Sequence, residues 1–303
     1  LRTLGFVASF FIGVYTLWIG ALPWWAAIPV YGWVLLMAAV AAVINHNALH
    51  TPVFRARWAN RVFQIVLSFI YGAPVSIFVP VHNHSHHKYS QTPKDVTRSW
   101  KLRSRFNLIN TLRAASVIGA GTLRDDIRYF KVQRRKGAAI WSNLKIEGVG
   151  LLAYAITLLV LDWKNFLWLV FLPWQVSQGF IVGINYVQHD GCDPDNDGYD
   201  FARNFSGGPF NWVFLNNGFH TVHHLHPGLH WSKTPAAHDE LVAPHIHPNL
   251  VAENAAVFFW HYFFAPGTRQ THLGEPYSPP PAGEDEPWFY DLDETYSAAD
   301  PAE

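Results

Sequence analysis

Ten of the 17 histidines in this 303-residue chain stand in three tight groups and one outlier, nine of them spaced so that several imidazoles can reach one point. The groups are His46-Asn-Ala-Leu-His50, His82-Asn-His-Ser-His86-His87 and His220-Thr-Val-His223-His224, and the outlier closes Asn185-Tyr-Val-Gln-His189. Each group holds an i, i+4 histidine pair, and residues three or four apart share one face of a helix. Nine neutral imidazoles exceed what one metal takes. Zinc is satisfied by about four ligands and does no redox chemistry, whereas imidazole also suits iron, and two irons together would use about eight to ten. A dinuclear iron centre fits that count. Isolated histidines have a blander role, solvated or structural, and His238, His245, His247, His261 and His272 are expected to be of that kind because none has a partner at ligand spacing.

The groups at 46, 82 and 189 each follow a long apolar stretch, and those stretches must position them. A helix needs about 20 mostly apolar residues to cross the hydrocarbon core. Residues 4–22, 24–45 and 166–187 qualify, and 146–163 qualifies once its flanks are counted. The expected fold is all-α: four transmembrane helices in two hairpins, amphipathic surface helices, and a cytosolic helical cap carrying the histidines. A fifth stretch, 62–80, is interrupted by Gly72, Pro74 and Pro80 and is expected to dip into the bilayer or lie flat. A full crossing there would put the first two histidine groups on opposite sides of the membrane.

Charge is balanced overall, 22 Lys and Arg against 22 Asp and Glu, so the net value excludes nothing. Its distribution is informative: residues 51–146 carry 17 of the 22 cations. The positive-inside rule then puts this loop, and the histidine groups with it, in the cytoplasm. Apolar positions spaced through residues 95–146 point to amphipathic helices on the membrane surface. Cys192 is the only cysteine, which excludes a disulfide framework and a thiolate cluster. Met37 is the only methionine, so the numbering is expected to start inside a longer natural chain, and the first apolar run is read as a span and not as a cleaved signal.

With its motifs in the order H-x(3)-H, H-x(3)-H-H and H-x(2)-H-H, the chain resembles the integral-membrane fatty acid desaturase and hydroxylase superfamily over roughly residues 4–235. Asn185 and His189 resemble the additional Asn-x(3)-His ligand element of acyl desaturases. The resemblance implies a diiron centre held by His46, His50, His82, His86, His87, His189, His220, His223 and His224, with Asn185 a weaker tenth ligand acting through water. It also implies dioxygen as co-substrate and electrons from a separate ferredoxin-like carrier, here drawn by the basic loop. A fatty acyl or lipid desaturase is the favoured activity. A hydroxylase, a carotenoid ketolase or an oxidative fatty acid decarboxylase would use the same ligands, and a non-enzymatic metal carrier or sensor is the reading from another class. His84, His226 and His230 are candidates for positions around the metals.

Residues 1–273 read as one membrane-embedded domain and 274–303 as an acidic, Pro-rich tail. The tail has six prolines and nine of the 22 acidic residues, a composition that disfavours regular structure. Its Trp288-Phe289-Tyr290 triplet argues for docking instead. Asp193-Pro-Asp195-Asn-Asp197-Gly198 mimics the start of a calcium loop but has Asn204 where the bidentate Glu belongs, and is read as an acidic turn. His226-Pro-Gly228 is similar to a b-type cytochrome haem motif but continues with Leu229, so no fused electron carrier is expected. Gly179 and Gly183, four apart, could admit a neighbouring helix or a substrate chain, close helix packing being favoured.

Overall fold

The computed structural model describes residues 1–194 and 198–289 and is mostly helical. In chain order the first helices are α1 (Arg2–Trp18), α2 (Trp24–His50), α3 (Arg57–Tyr71), α4 (His87–Tyr89), α5 (Asn107–Lys136) and α6 (Ala139–Leu161). There follow α7 (Trp163–Phe166), α8 (Leu172–His189), α9 (Gly208–Val213), α10 (His220–Leu225), α11 (Thr234–Ala237) and α12 (Ala255–Phe263). A π-helix, Val79–His86, runs directly into α4, and another, Leu167–Phe171, joins α7 to α8. Two short strands, β1 (Asn204–Phe205) and β2 (Val251–Ala252), pair in parallel. The chain forms two compact units, residues 1–78 with 130–181 and residues 79–129 with 182–303.

The first unit has the surface of a protein solvated by lipid. Three helical stretches are long and apolar enough to cross a bilayer: Trp24–His50, Ala139–Leu161 and Trp163–His189. The expected first span is shorter, because α1 stops at Trp18 and Gly20 turns the chain with a φ of 63°. At 17 residues α1 falls just under the usual spanning length. It packs on α2 where Gly13 has no side chain, a Cβ there falling 2.7 Å from Val34 Cγ2. Of the three long apolar stretches, α6 is the least buried, Glu147 being its one buried residue. Val149, Leu152, Ile156 and Val160 all face outward from it. So wide an apolar face suits hydrocarbon and not water. Exposed Trp24, Trp25, Trp163 and Trp168 stand near span ends, where indole rings favour the interface.

Two polar features organise this unit. Asp162 separates α6 from α7 and caps the latter, its carboxylate accepting from the backbone N–H of Lys164 at 3.0 Å and of Asn165 at 3.1 Å. Glu147, buried on the otherwise lipid-facing α6, accepts from Ser76 N–H at 2.8 Å and Ser76 Oγ–H at 2.9 Å. That pairing anchors the turn after α3. The 62–80 stretch does not form one straight helix: Gly72 ends α3 with a φ of 79° and Pro74 follows it. A side chain on Gly72 would collide with Trp174, whose Nε1–H donates to Phe69 O at 2.7 Å.

In the second unit a buried polar network fixes the end of α8 against the start of α5. Tyr186 receives Asn110 Nδ2 at 2.9 Å and donates to Asp190 at 3.0 Å, and Arg269 binds Asp190 through Nε at 2.9 Å. The tail is docked on this unit. Trp288 is buried and donates Nε1–H to Asp125 Oδ2 at 2.8 Å. Tyr290 of the aromatic triplet and Asp195 and Asp197 of the calcium-like turn lie outside the described residues.

Candidate metal centre

Three stretches of the second unit carry histidines. The π-helix Val79–His86 and α4 carry His82, His86 and His87, α8 closes on His189, and α10 carries His220, His223 and His224. Helix α10 is short and is held by Asn204, which donates Nδ2–H to Thr221 Oγ1 at 2.8 Å and accepts Thr221 N–H at 3.0 Å. The histidines meet in two places. His220 Nε2 lies 3.0 Å from His189 Nε2 and 3.2 Å from His224 Nε2. His86 belongs to the same set of four, each of which offers a nitrogen within 4.8 Å of the others. His87 Nε2 lies 3.0 Å from both His82 Nε2 and His223 Nε2.

Hydrogen bonding within the protein accounts poorly for this convergence. One N–H on a central imidazole satisfies one neighbour well, yet His220 and His87 each face two. His189 Nδ1–H is directed at Phe201 O, 3.0 Å away, and His86 Nδ1–H at Asp95 Oδ2, 2.9 Å away. Those partners fix the tautomers and turn the Nε2 lone pairs inward. His86 Nε2 is buried with no hydrogen-bond partner at all. A cation at each convergence would satisfy every inward lone pair, so the donor set fits metal.

The electrostatics agree. Burial first, and then the neighbouring imidazoles, push His224 well below the ordinary histidine range, keeping it neutral as a ligand must be. Burial alone would raise the Asp95 carboxyl, but His86 beside it and hydrogen bonds from Gln91 and Thr97 hold it well below the usual carboxylate range. Asp95 therefore stays an anion that accepts from His86.

Residues 4–264 match the family described as Fatty acid desaturase. The chain belongs to the fatty acid desaturase family. With its three long apolar helices, it is an integral membrane protein. The family implies a lipid substrate and is generally one of oxidoreductases. A search of the curated proteins gave no match.

The remaining histidines sort by position in this desaturase-family chain. In the first unit His46 and His50 lie within the last turns of α2, one turn apart, with ring centroids 5.4 Å from each other. Asn185 stands half-buried one turn before His189. His84 is buried against Tyr129 and Trp288, ring centroids 5.3 Å and 6.1 Å away, and belongs to neither histidine set. His226 and His230 are exposed, and His230 pairs with Ser232 at 2.8 Å. His238 is buried beside Phe219.

Sequence reasoning missed the residues that hold the histidines. Asp95, Asn204 and the Phe201 carbonyl are such partners. Asp95 alone had a readable signal, a carboxylate nine residues after His86 in a segment otherwise rich in cations.

Proposed function

We propose that the chain is an oxygen-dependent diiron enzyme that removes hydrogen from an unactivated C–H bond of a fatty acyl or lipid chain, most simply as a desaturase. The observation that carries this reading is the double convergence of imidazole nitrogens, 3.0 Å about His87 and 3.0–3.2 Å about His220, in a chain of the desaturase family. One iron is held by His86, His189, His220 and His224. The other is held by His82, His87 and His223, and the family resemblance implies His46, His50 and, through water, Asn185 as further ligands.

An alkyl C–H bond offers no proton to a side-chain base, so bound iron and dioxygen supply the oxidant. The protein's own groups do the rest. Asp95 and the Phe201 carbonyl keep the Nδ1 protons of His86 and His189, leaving both Nε2 atoms as donors. The substrate is a membrane-partitioned chain reaching the histidines along the apolar helices. Electrons come from a separate acidic carrier on the cytoplasmic side.

Lipid profiling of a host expressing the chain, alone and with His223→Ala, tests the activity. New double bonds in wild type that vanish in the variant, with equal protein in the membrane, are the expected result. Hydroxylated products would keep the site and change the reaction; an identical profile in the two strains would remove the lipid assignment.

A further inference from the structure

The family match ends at residue 264, yet the chain beyond it returns to the turn that serves His86. Asp95 sits in that turn, fully buried, and accepts from His86 Nδ1–H at 2.9 Å, Gln91 N–H at 3.0 Å and Thr97 Oγ–H at 2.7 Å. Ser85, next to His86, ties itself to the same turn: its Oγ–H donates to Lys94 O at 2.8 Å and its Oγ accepts Val96 N–H at 3.1 Å.

Behind the turn lies Arg98, also fully buried. Its guanidinium donates to Pro93 O at 3.3 Å and Asp95 O at 3.2 Å, so it holds the turn from within. The tail meets that guanidinium directly. Asp285 Oδ1 accepts from Arg98 at 2.6 Å, and Gly283 O accepts from its other terminal nitrogen at 3.0 Å. Lys101 at 2.7 Å and Arg124 at 3.2 Å complete the cluster around Asp285. Glu286 N–H donates to Pro93 O at 3.0 Å, and Trp288 anchors the end of the segment on Asp125. A Cβ on Gly121 would meet Asp285 Oδ2 at 2.9 Å, so the carboxylate fits into a close notch on α5.

We propose that the tail segment 283–288 is a positioning strap for one of the two metals: through Asp285 and Arg98 it holds the turn whose Asp95 carboxylate orients His86. Asp95, Arg98 and Asp285 are positioning residues acting in series, and the strap serves the His86 set and not the His87 set. The proposal rests on the diiron reading above. Losing the partner that orients a metal-bound histidine typically weakens metal binding by about 10- to 100-fold.

The test is the release of iron from the full chain to an iron(II) chelator, followed ion by ion, in wild type, Asp95→Asn, Asp285→Asn, Asp285→Glu and a chain ending after Gly274. Thermal unfolding of each protein is recorded in the same detergent. One of two ions should leave about 10- to 100-fold faster in Asp285→Asn and in the shortened chain, as in Asp95→Asn, with the second ion at the wild-type rate. Asp285→Glu should restore much of the slow release, and a peptide of residues 275–289 should slow it in the shortened chain. Release at the wild-type rate from Asp285→Asn and the shortened chain would overturn the strap, and so would equal acceleration of both ions, which marks general loosening. Wild type holding no iron would overturn the diiron reading itself, and the strap with it.

Discussion

His87 Nε2 lies 3.0 Å from His223 Nε2, bringing together two histidine groups 136 residues apart in the chain. Neither group makes a complete site by itself: the π-helix with α4 brings three of these imidazoles and α10 another three. The site therefore depends on tertiary contacts that keep these short elements aimed. Several consequences can be measured.

Gly183 and Gly179 lie one turn apart on α8 but in different surroundings. A Cβ on Gly183 would fall 2.9 Å from Thr111 Cγ2, whereas one on Gly179 meets nothing within 4 Å. Gly183→Leu should destabilise the protein by about 1–3 kcal/mol through overpacking against α5. Gly179→Leu should leave its stability unchanged. Melting temperatures in detergent check this, and equal values for the two variants would contradict it.

Asp126 gives a pH dependence of stability. Burial, reinforced by repulsion from Asp125, pushes its carboxyl up to about 8, while in the unfolded chain it titrates at about 3.9. Between those values the folded state binds a proton that the unfolded state lacks, so stability is full below about pH 4 and is lost as pH rises towards 8. Asp126→Asn should remove that slope. Denaturation measured at pH 4.5 and at pH 8.5 should show the variant gaining on wild type only at the higher value.

The proposed acidic electron carrier should respond to salt. Exposed cations such as Arg113, Arg134 and Arg135 carry long-range attraction, whereas Arg98, Lys101 and Arg124 are already engaged by Asp285. Reduction by a ferredoxin-like donor should slow as the ionic strength rises past about 0.1 M, where screening reaches about 10 Å. A rate flat in salt would leave membrane topology as the only role of the basic loop.

Much of this architecture was legible in residue order. The apolar runs gave α2, α6 and the helix ending at His189, because hydropathy over about 20 residues is set by composition alone. The interruptions at Gly72 and Pro74 mark a break between two helical parts that bend by 83°. The i, i+4 spacing singled out His82 with His86 and His220 with His224, since helical spacing is local, whereas His87, His189 and His223 stand outside those pairs. Less legible was the shortness of α1, which ends at a left-handed glycine inside an apolar run. The π-helical form of the segment bearing His82 was also not foreseen, as its backbone pattern has no sequence period of its own. Partners such as Asp95, Arg98 and Asp285 were missed because they act across turns and over up to 187 residues of chain. The tail was legible in part: its composition pointed away from order while its aromatic triplet pointed to docking, and Trp288 and Asp285 find partners on α5 and the 93–101 segment.

The most direct test of the two-metal reading is the iron content of the chain purified from an iron-replete host, in wild type and in His220→Ala. The expected result is about two irons per wild-type chain and about one in the variant, since His220 belongs to one convergence only. A single exchangeable zinc in wild type, or two irons retained by His220→Ala, would contradict the account.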